Sequence, residues 1–353
     1  MQRSEAPAIE TSENGGRAVE WDAYVSAHPE ATFFHQYHWL TLVRETYGGT
    51  PHYLTARQEG RVVGVLPLML RRVIGPGRVL ISVPYADEGG LLADSPEAQG
   101  ALLGAAREVG EKERAGYVEL RQTSSLGVDL PVDASRVTLK LALPADPEAL
   151  WTSFPAKVRN QTRKAERAGL VATGVESLHD GIKQSFYPVY SHNTRDLGSP
   201  MHAAGFFHSL VDLMPNKVFV VQVRLGALPV GAAVAVAHNG VFSVPWAGSL
   251  RSHFSMCPNN LLYWQLMKLA MAQGCRTFDF GRSARDSGTY RFKLQWGAEE
   301  LPLHYSFLPV RRTPELGEKR EGALYRVFSK VWPRTPLWIA RSVGPKLFAR
   351  LPL

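Results

Sequence analysis

The chain has 353 residues, of which 45% are hydrophobic and 20% are charged, and its formal net charge is +8. This length and apolar content suffice for one large or two medium packed domains, so disorder is not the default expectation. No apolar run approaches the ~20 residues that span a bilayer, and residues 1–16 are polar and acidic, unlike a signal sequence. We therefore expect a cytoplasmic protein.

Cysteine and histidine usage argues against disulfide or metal chemistry. Cys257 and Cys275 are the only cysteines, and neither has a histidine or cysteine neighbour at metal-ligand spacing. His192 and His202 also lack a nearby ligand set. We expect two ordinary thiols and no metal site.

A faint internal repeat sets the expected organisation of the chain. Residues 60–64 lead through an apolar run to Ser82-Val-Pro-Tyr85, and residues 226–231 lead through another to Ser243-Val-Pro-Trp246. A helix follows each copy. The first helix is predicted from the N-cap Ser95 to Gly116, and the second from residues 259–260 to Gly274.

Each predicted helix leads into a strand. These strands are Tyr117–Arg121 and Arg276–Phe280, in which Glu119 and Asp279 hold comparable places. The repeat therefore predicts an α/β (α+β) fold of two tandem lobes, each a mixed sheet flanked by helices, with a ligand cleft between them. The predicted limits are a disordered N-terminus at 1–17, lobe 1 at 18–145, lobe 2 at 146–310 and a tail at 311–353, with the break near Pro144–Pro147.

Lobe 2 opens with a basic helix, predicted from Pro155 to Ala168. Arg159, Arg163 and Arg167 recur every fourth residue, so they form one column of like charges that a polyanion would relieve. A solvated helix face is the alternative.

The next polar region, residues 186–202, is predicted to run from a helix into a loop. Its aromatic and hydrogen-bonding residues make Tyr187, Tyr190 and Arg195 candidates for a substrate cleft. Arg195 stands beside Asp196, so the alternative to a substrate-binding role is a simple surface ion pair between these two residues.

The densest group of candidate site residues lies between residues 277 and 297. Asp279 follows the alternation of a half-buried strand near its carboxyl end, where α/β sheets bind ligands, and Gly281 is predicted to turn the chain. Lys293 stands between Phe292 and Leu294, so its stem is flanked by large apolar groups. An amphipathic strand with solvated charges is the alternative.

These motifs resemble the Fem-type (FemAB-like) acyltransferases, in particular the branch associated with exosortase and PEP-CTERM gene systems. The resemblance covers about residues 20–310. It rests on Asp279-Phe-Gly-Arg-Ser283, Gly288-Thr-Tyr-Arg-Phe-Lys-Leu-Gln-Trp-Gly297, Lys157-Val-Arg-Asn-Gln-Thr-Arg-Lys-Ala165, Leu197-Gly-Ser-Pro200 and Asn260-Leu-Leu-Tyr-Trp264.

The resemblance implies two N-acetyltransferase-like lobes. The best-known members of the Fem-type family move an amino acid from aminoacyl-tRNA to the peptide of a peptidoglycan precursor. It also favours phosphate binding by the basic helix. The expected substrate-binding residues are Lys157, Arg159, Arg163, Lys164, Tyr187, Tyr190, Arg195, Trp246, Asn260, Arg282 and Tyr290.

Acyl transfer to an amine needs positive character near the developing oxyanion and an acceptor for the proton. We assign the first role to Lys293 and the second, or orientation of the amine, to Asp279, although a carboxylate of ordinary pKa is a poor base. The chain has no Gly-x-Ser-x-Gly elbow and no cysteine–histidine arrangement for a covalent acyl-enzyme. Direct attack is the simpler prediction.

The identity of the acyl donor stays open at this point. Arg72-Val-Ile-Gly-Pro-Gly77 matches the Arg-x-x-Gly-x-Gly turn that holds the pyrophosphate of coenzyme A, but strand-like runs flank it on both sides. A hairpin is therefore the better prediction. The loss of that signature favours a tRNA-borne or other activated acyl donor. The chain has no sustained heptad run and so lacks the long coiled-coil arm of some peptidoglycan-bridge enzymes, which weakens the inference of a tRNA donor. Acyl-CoA remains the other candidate.

The tail concentrates the charge of the chain. Residues 319–353 hold eight Lys and Arg and one Glu, so all but one of the eight net positive charges lie there. Interleaved aromatic residues suit an anionic membrane surface and equally suit RNA, and a helix pair packed on the body is the third alternative.

The leading hypothesis is an acyltransferase acting on a lipid-linked or nucleotide-linked cell-envelope, peptidoglycan or exopolysaccharide precursor at the cytoplasmic membrane face. An acyl-CoA-dependent N- or O-acyltransferase is the second hypothesis. A non-catalytic membrane or nucleic-acid adaptor that works through its tail is the third.

Overall fold

The computed structural model describes residues 7–13, 17–75, 77–314, 316 and 329–351. The chain divides into two compact units. The first unit takes its described residues from 1–135, 302–320 and 349–353, and the second takes them from 136–301 and 321–348.

In chain order, the strands of the described residues are β1 Ala8–Ser12, β2 Thr50–Gln58, β3 Arg61–Val73, β4 Gly77–Ile81, β5 Leu92–Ala93, β6 Tyr117–Gln122, β7 Val132–Asp133, β8 Arg136–Ala142, β9 Leu170–Gly174, β10 Val218–Leu225, β11 Leu228–His238, β12 Val241–Ser249, β13 Thr277–Ala284, β14 Glu299–Pro302 and β15 His304–Pro309.

The α-helices of the same residues are α1 Ala18–Ala27, α2 Tyr37–Tyr47, α3 Pro96–Lys112, α4 Pro147–Ser153, α5 Ala156–Arg167, α6 Leu178–Gly181, α7 Tyr187–Asp196, α8 Ala204–Leu213, α9 Pro258–Ala272, α10 Gly288–Leu294 and α11 Leu337–Phe348. A π-helical turn at Ile182–Phe186 joins α6 to α7. Short 3-10 turns lie at Phe33–His35, Arg251–Met256 and Trp332–Arg334.

The first unit contains an eight-stranded sheet in the order β1-β2-β3-β4-β6-β15-β7, with β5 paired to β3. Its neighbours are antiparallel except β4 and β6, which run parallel where Ile81 pairs with Glu119. The apolar side of α3, including Leu102 and Ala106, is buried with Leu66 and Leu80 of the sheet. Burying this stripe on the sheet is what fixes the helix.

The second unit contains a seven-stranded sheet in the order β14-β8-β13-β12-β11-β10-β9. In this sheet β12 and β13 run parallel, and Ser243 lies opposite Asp279. Helix α9 is apolar over most of its surface. Its residues Leu262 and Met267 lie in a core that also holds Phe278 and Trp296.

The two sheets confirm the duplicated plan predicted from the repeat. In the first sheet β3 and β4 form an antiparallel pair, α3 follows, and β6 then runs parallel to β4. In the second sheet β11 and β12 form an antiparallel pair, α9 follows, and β13 then runs parallel to β12. Parallel strands need such a crossover helix. The fold is therefore a mixed α/β fold of two tandem lobes, as predicted.

Three segments differ from the predicted limits. Residues 8–12, expected in a disordered terminus, form the edge strand β1 because their backbone pairs with β2 from Ala8↔Arg57 to Ser12↔Tyr53. Strand β8, expected in lobe 1, pairs with β13 of the second sheet. Strand β15, expected in lobe 2, pairs with β6 of the first sheet. Long-range pairing decides all three, and the domain limits themselves stay a prediction.

Local signals placed several element ends correctly. Ser95 accepts a hydrogen bond from Ala98 N at 3.2 Å and begins α3. The predicted basic helix is α5, with Pro155 as its N-cap residue. The Arg72–Gly77 segment is a hairpin, as predicted, since Val73 pairs with Gly77 across β3 and β4.

The tail is described only in part, because residues 317–328, which include Lys319, Arg320 and Arg326, lie outside the described residues. In the described part, α11 packs on α7, where the Arg341 Nε donates to the Ser191 Oγ at 3.0 Å. Within the described ranges no helix is both long enough and apolar enough to cross a membrane.

Candidate functional site

The candidate site lies on β13, where the strand carries a bulge. The register with β8 shifts between Asp279 and Arg282, and Gly281 adopts a φ of +73° there. Glycine takes this conformation without the steric cost that other residues meet. The predicted chain turn at Gly281 is therefore wrong, because β13 continues to Ala284 after the bulge.

The Asp279 carboxylate is buried and held by three donors. Its Oδ1 accepts from the Thr138 Oγ1 and from the Gly281 N, both at 2.8 Å. Its Oδ2 accepts from the Ser243 Oγ at 3.3 Å. Asp279 is 4% exposed, so these donors replace the water that a carboxylate otherwise requires. The arrangement fixes the orientation of the side chain.

Lys293 is buried against the same bulge and is 7% exposed. It lies near the end of the short helix α10, whose N-cap Ser287 accepts a hydrogen bond from the Tyr290 N. The Lys293 Nζ donates to the Gly281 carbonyl at 2.6 Å and to the Arg282 carbonyl at 2.9 Å. The ammonium is thus fixed at the strand bulge.

Asp279 and Lys293 are joined through one residue. The Gly281 N–H donates to Asp279, and the Gly281 carbonyl accepts from Lys293. Two buried polar atoms lie in this neighbourhood of the chain without a hydrogen-bond partner in the described structure, the Ser283 Oγ and the Trp296 Nε1. Such atoms call for an explanation, and a bound water or ligand group is a common one.

Tyr290 takes part in a small polar cluster beside the core. Its hydroxyl donates to the Glu300 Oε2 at 2.5 Å, and the Arg285 Nη2 donates to the Glu300 Oε1 at 2.7 Å. The hydrogen bonds from Arg285 and then Tyr290 lower the pKa of Glu300. The same contact with Glu300 raises the pKa of Tyr290. The predicted substrate role of Tyr290 would require exchange of this partner.

The predicted basic residues lie on α5 as one would expect from their spacing. Lys157, Arg163 and Lys164 are exposed, and Arg159 is half-buried. The Arg163 guanidinium lies 5.4 Å from the centroid of the Trp151 ring, so the two side chains make a cation–π contact. Of the column, Arg163 and Arg167 are exposed to solvent, whereas Arg159 is half-buried.

Asn260 joins α9 to the basic helix. It is 5% exposed, and its Nδ2 donates to the Gln161 Oε1 on α5 at 3.3 Å. Helix α9 follows the turn Leu250–Cys257, which contains no glycine. Cys257 itself has a φ of 58°.

Tyr187, Tyr190 and Trp246 lie in a buried aromatic cluster. The Tyr190 hydroxyl accepts from the His202 N, and the Tyr187 hydroxyl donates to the His202 carbonyl, both at 3.2 Å. The Trp246 ring meets the His202 ring edge-on, and Phe206 stacks on that imidazole at 4.1 Å. Burial lowers the pKa of His202 to about 3. Both tyrosine hydroxyls thus contact the backbone around His202.

Arg195 and Asp196 form the ion pair that the sequence offered as an alternative. The Arg195 Nη2 and Nε donate to the Asp196 Oδ1 at 2.6 Å and 3.0 Å. The pair sits at the end of α7, where a cation is favourable. In the part of the chain that the structure describes, no group of three His, Cys, Asp or Glu side chains could hold a metal ion.

The structure adds two residues that the sequence did not single out as site residues. Ser243 had a signal, since it opens the repeated Ser-Val-Pro triplet, but its role as a donor to Asp279 was missed. Thr138 had no signal, because it reaches Asp279 from 141 residues away.

Comparison with known proteins adds one match of sequence. The family model described as an acetyltransferase (GNAT) domain matches residues 152–294. This range includes Asp279, Lys293 and the basic helix. No protein among the curated sequences matches the chain.

Three solved structures resemble the whole fold. FemX matches with a TM-score of 0.63 and 16% identity over 84% of this chain and 97% of its own. A tandem GNAT protein from the clavulanic acid biosynthesis pathway matches with a TM-score of 0.53 and 13% identity over 87% and 100%. The C-terminal domain (DUF2156) of a candidate lysylphosphatidylglycerol synthetase from Agrobacterium fabrum matches with a TM-score of 0.55 and 13% identity over 90% and 96%.

At these identities the structural matches establish the fold, a tandem GNAT-like arrangement with Fem-type neighbours. Together with the GNAT domain match, they support an acyltransferase of the GNAT type.

Proposed function

We propose that this protein transfers an acyl group to an amine of a cell-envelope, peptidoglycan or exopolysaccharide precursor. The observation that carries the proposal is Lys293, a buried ammonium fixed by two backbone carbonyls at the bulge of β13. The residue lies inside the segment matched by the GNAT domain model.

Lys293 is proposed to stabilise the transition state. When an amine attacks an acyl carbonyl, the carbonyl oxygen gains negative charge, and a fixed cation in a site of low dielectric stabilises that charge. The carbonyls of Gly281 and Arg282 hold the ammonium in place before the reaction. Little reorganisation is then needed when the charge develops.

Asp279 is proposed as a positioning residue in this reaction. Its carboxylate already accepts three hydrogen bonds, which fix the orientation of the side chain. Through the Gly281 N–H it fixes the peptide whose carbonyl accepts from Lys293. The proton of the amine then passes to the leaving group or to solvent.

The proposed donor is an acyl-CoA, because the matched domain is of the acetyltransferase (GNAT) type. Attack by the amine forms the C–N bond and breaks the C–S bond of the thioester. An aminoacyl-tRNA is the alternative donor, favoured by the Fem-type resemblance and by the solvent-exposed cations of α5, Lys157, Arg163 and Lys164. These cations suit a phosphate-bearing donor of either kind.

The proposed acceptor is a lipid-linked or nucleotide-linked precursor, following the Fem-type resemblance and its exosortase and PEP-CTERM branch. Peripheral association with the cytoplasmic face of the membrane through residues 319–353 belongs to the same proposal. In the described part of that segment, Trp338 is 72% exposed, whereas Trp332 is buried. An exposed tryptophan near cations suits a membrane interface.

The test supplies purified protein with acyl-CoA donors and aminoacyl-tRNA in separate reactions, each with amine-bearing lipid-linked and nucleotide-linked precursors. Products are read by the mass shift of the acceptor. Wild-type protein should add one acyl group, and Lys293→Met should lower kcat by about 100-fold to 1,000-fold, the usual cost of removing one oxyanion stabiliser.

The matched control is Lys268→Met, since Lys268 is an exposed lysine of α9. This variant should keep the wild-type rate, and thermal melting should show all three proteins folded. A folded wild type that transfers nothing from any donor, or a Lys293→Met protein as active as Lys268→Met, contradicts the proposal.

A further inference from the structure

A groove in the first unit lies beside the end of β3. Strand β2 pairs with β3 only as far as Thr50↔Leu70, and beyond that point the groove borders residues 71–74. Its volume is about 640 Å³, which is the size of small-molecule binding sites. The lining residues are Tyr47, Gly48, Gly49, Thr50, Leu70, Arg71, Arg72, Val73, Ile74, Arg78, Ala349 and Arg350.

The lining is strongly cationic. Among the described residues it includes four arginines and no acidic side chain. Arg72 and Arg78 lie directly opposite each other in the antiparallel register of β3 and β4, and like charges in that position repel. The Arg78 Nη2 donates to the Glu113 Oε2 at 2.6 Å, which neutralises one of the four cations. A polyvalent anion would relieve the repulsion among the remaining three arginines.

Arg71 supplies the independent observation that points to a ligand. It is 4% exposed, its Nη2 donates to the Ala349 carbonyl, and its guanidinium lies 4.5 Å from the centroid of the Tyr85 ring. Its Nη1 has no hydrogen-bond partner among the described residues. A buried guanidinium loses its hydration, and an anion bound in the groove that Arg71 lines would compensate part of that free-energy cost.

The groove also has an apolar side. Leu70 and Val73 are buried residues of β3, and Ile74 at the strand end is 49% exposed. The Ile74 N donates to the Arg350 carbonyl at 2.9 Å, so the isoleucine stands where the C-terminal segment meets the hairpin. Cations next to apolar side chains suit a ligand with a charged end and a hydrocarbon end.

We propose that this groove binds a phosphate-bearing amphiphile. The arginines hold the phosphate by charge-assisted hydrogen bonds, for which the planar guanidinium is well shaped. The hydrocarbon part lies along Leu70 and Ile74, which share one face of β3. Because binding in this groove involves no acyl donor and no residue of the β13 site, the proposal stands apart from the proposed acyl transfer.

The test measures binding by calorimetry with three probes at the same pH and salt, namely octyl phosphate, octanol and inorganic phosphate. Wild-type protein should bind octyl phosphate at least tenfold more tightly than either of the others. Arg72→Gln should weaken octyl phosphate binding at least tenfold.

The control is Arg61→Gln, because Arg61 is an exposed arginine at the opposite end of the same strand, outside the groove. It should keep the octyl phosphate affinity within twofold. Ile74→Ser should weaken octyl phosphate binding and leave inorganic phosphate binding unchanged. Equal affinity of wild type and Arg72→Gln for octyl phosphate overturns the proposal, as does equal loss in Arg61→Gln. Equal affinity of wild type for octyl phosphate and inorganic phosphate shows a plain anion site and overturns the amphiphile.

Discussion

At the scale of single residues, the cost of burying a charge explains how the β13 site is built. Removing an ammonium or a carboxylate from water is expensive unless other polar groups replace the lost hydration. Lys293 receives two backbone carbonyls, and Asp279 receives three donors. Gly281 serves both groups, so the backbone at this position links the two charges.

We expect Gly281→Ala to destabilise the second unit by about 1–2 kcal/mol, because the left-handed conformation at φ +73° is unfavourable for a residue with a Cβ. The measurement is urea unfolding followed by fluorescence. The matched control is Gly288→Ala, where an added Cβ meets open space and the free energy of unfolding should change by less than about 0.5 kcal/mol. Equal effects of the two substitutions would contradict the strain argument.

At the scale of elements, short-range signals fixed where several helices and hairpins lie. A side-chain oxygen placed just before a helix satisfies a backbone N–H that has no partner in the helix itself. Ser95 does this for α3 and Ser287 does it for α10. These signals are local, so they survive whatever sheet the neighbouring strands join.

We expect Ser95→Ala to lower the free energy of unfolding of the first unit by about 1 kcal/mol, because the Ala98 N–H loses its acceptor. Circular dichroism in a urea titration gives the value. Ser95→Asp keeps an acceptor oxygen at the N-cap and should stay within about 0.5 kcal/mol of wild type. A serine that can be removed at no cost would show that α3 is held by its packing alone.

At the scale of the whole molecule, the two units share one strand and helix order but differ in the hydrogen-bond donors to the acidic residue at the corresponding position. In the first unit the buried Glu119 accepts from the Arg121 Nε at 3.0 Å, so an arginine neutralises the acid. In the second unit Asp279 accepts only uncharged donors in its hydrogen bonds with Thr138, Ser243 and Gly281. The GNAT domain match covers the second unit's copy. The acidic residue at the corresponding position is therefore paired with a cation in the first unit and held by uncharged donors in the second.

The pH dependence of stability follows from His202, whose pKa burial lowers to about 3. Between pH 6.5 and pH 3 the unfolded chain binds a proton at this residue and the folded chain does not, so stability falls as the pH falls through that window. We expect His202→Phe to reduce this slope by up to about 1.4 kcal/mol per pH unit.

The measurement is urea unfolding of wild type and His202→Phe at a series of pH values. Above pH 7 neither state binds the proton, so the difference in stability between the two proteins should be constant there and serves as the internal control. A difference that stays constant from pH 7 down to pH 4 would show that His202 does not contribute to the slope.

Features that depend on neighbouring residues could be predicted from the sequence. The strand through Phe278–Phe280, the N-cap Ser95 and the Arg72–Gly77 hairpin each follow from local geometry and were predicted correctly. The predicted half-buried alternation of that strand is wrong, because Phe278, Asp279 and Phe280 are all buried. The repeat gave the two-lobe plan, because each lobe needs the same succession of hairpin, helix and parallel strand.

The contacts of the candidate site residues depend on long-range packing and could not be predicted from the sequence. Thr138 meets Asp279 across the pairing of β8 with β13, and Tyr187 and Tyr190 engage the backbone of His202 through hydrogen bonds. The sequence also did not predict which sheet β8 and β15 would join. The physical reason is that a strand satisfies its backbone with any compatible neighbour. The free energy of the whole packed sheet, and not the local residues, selects which one.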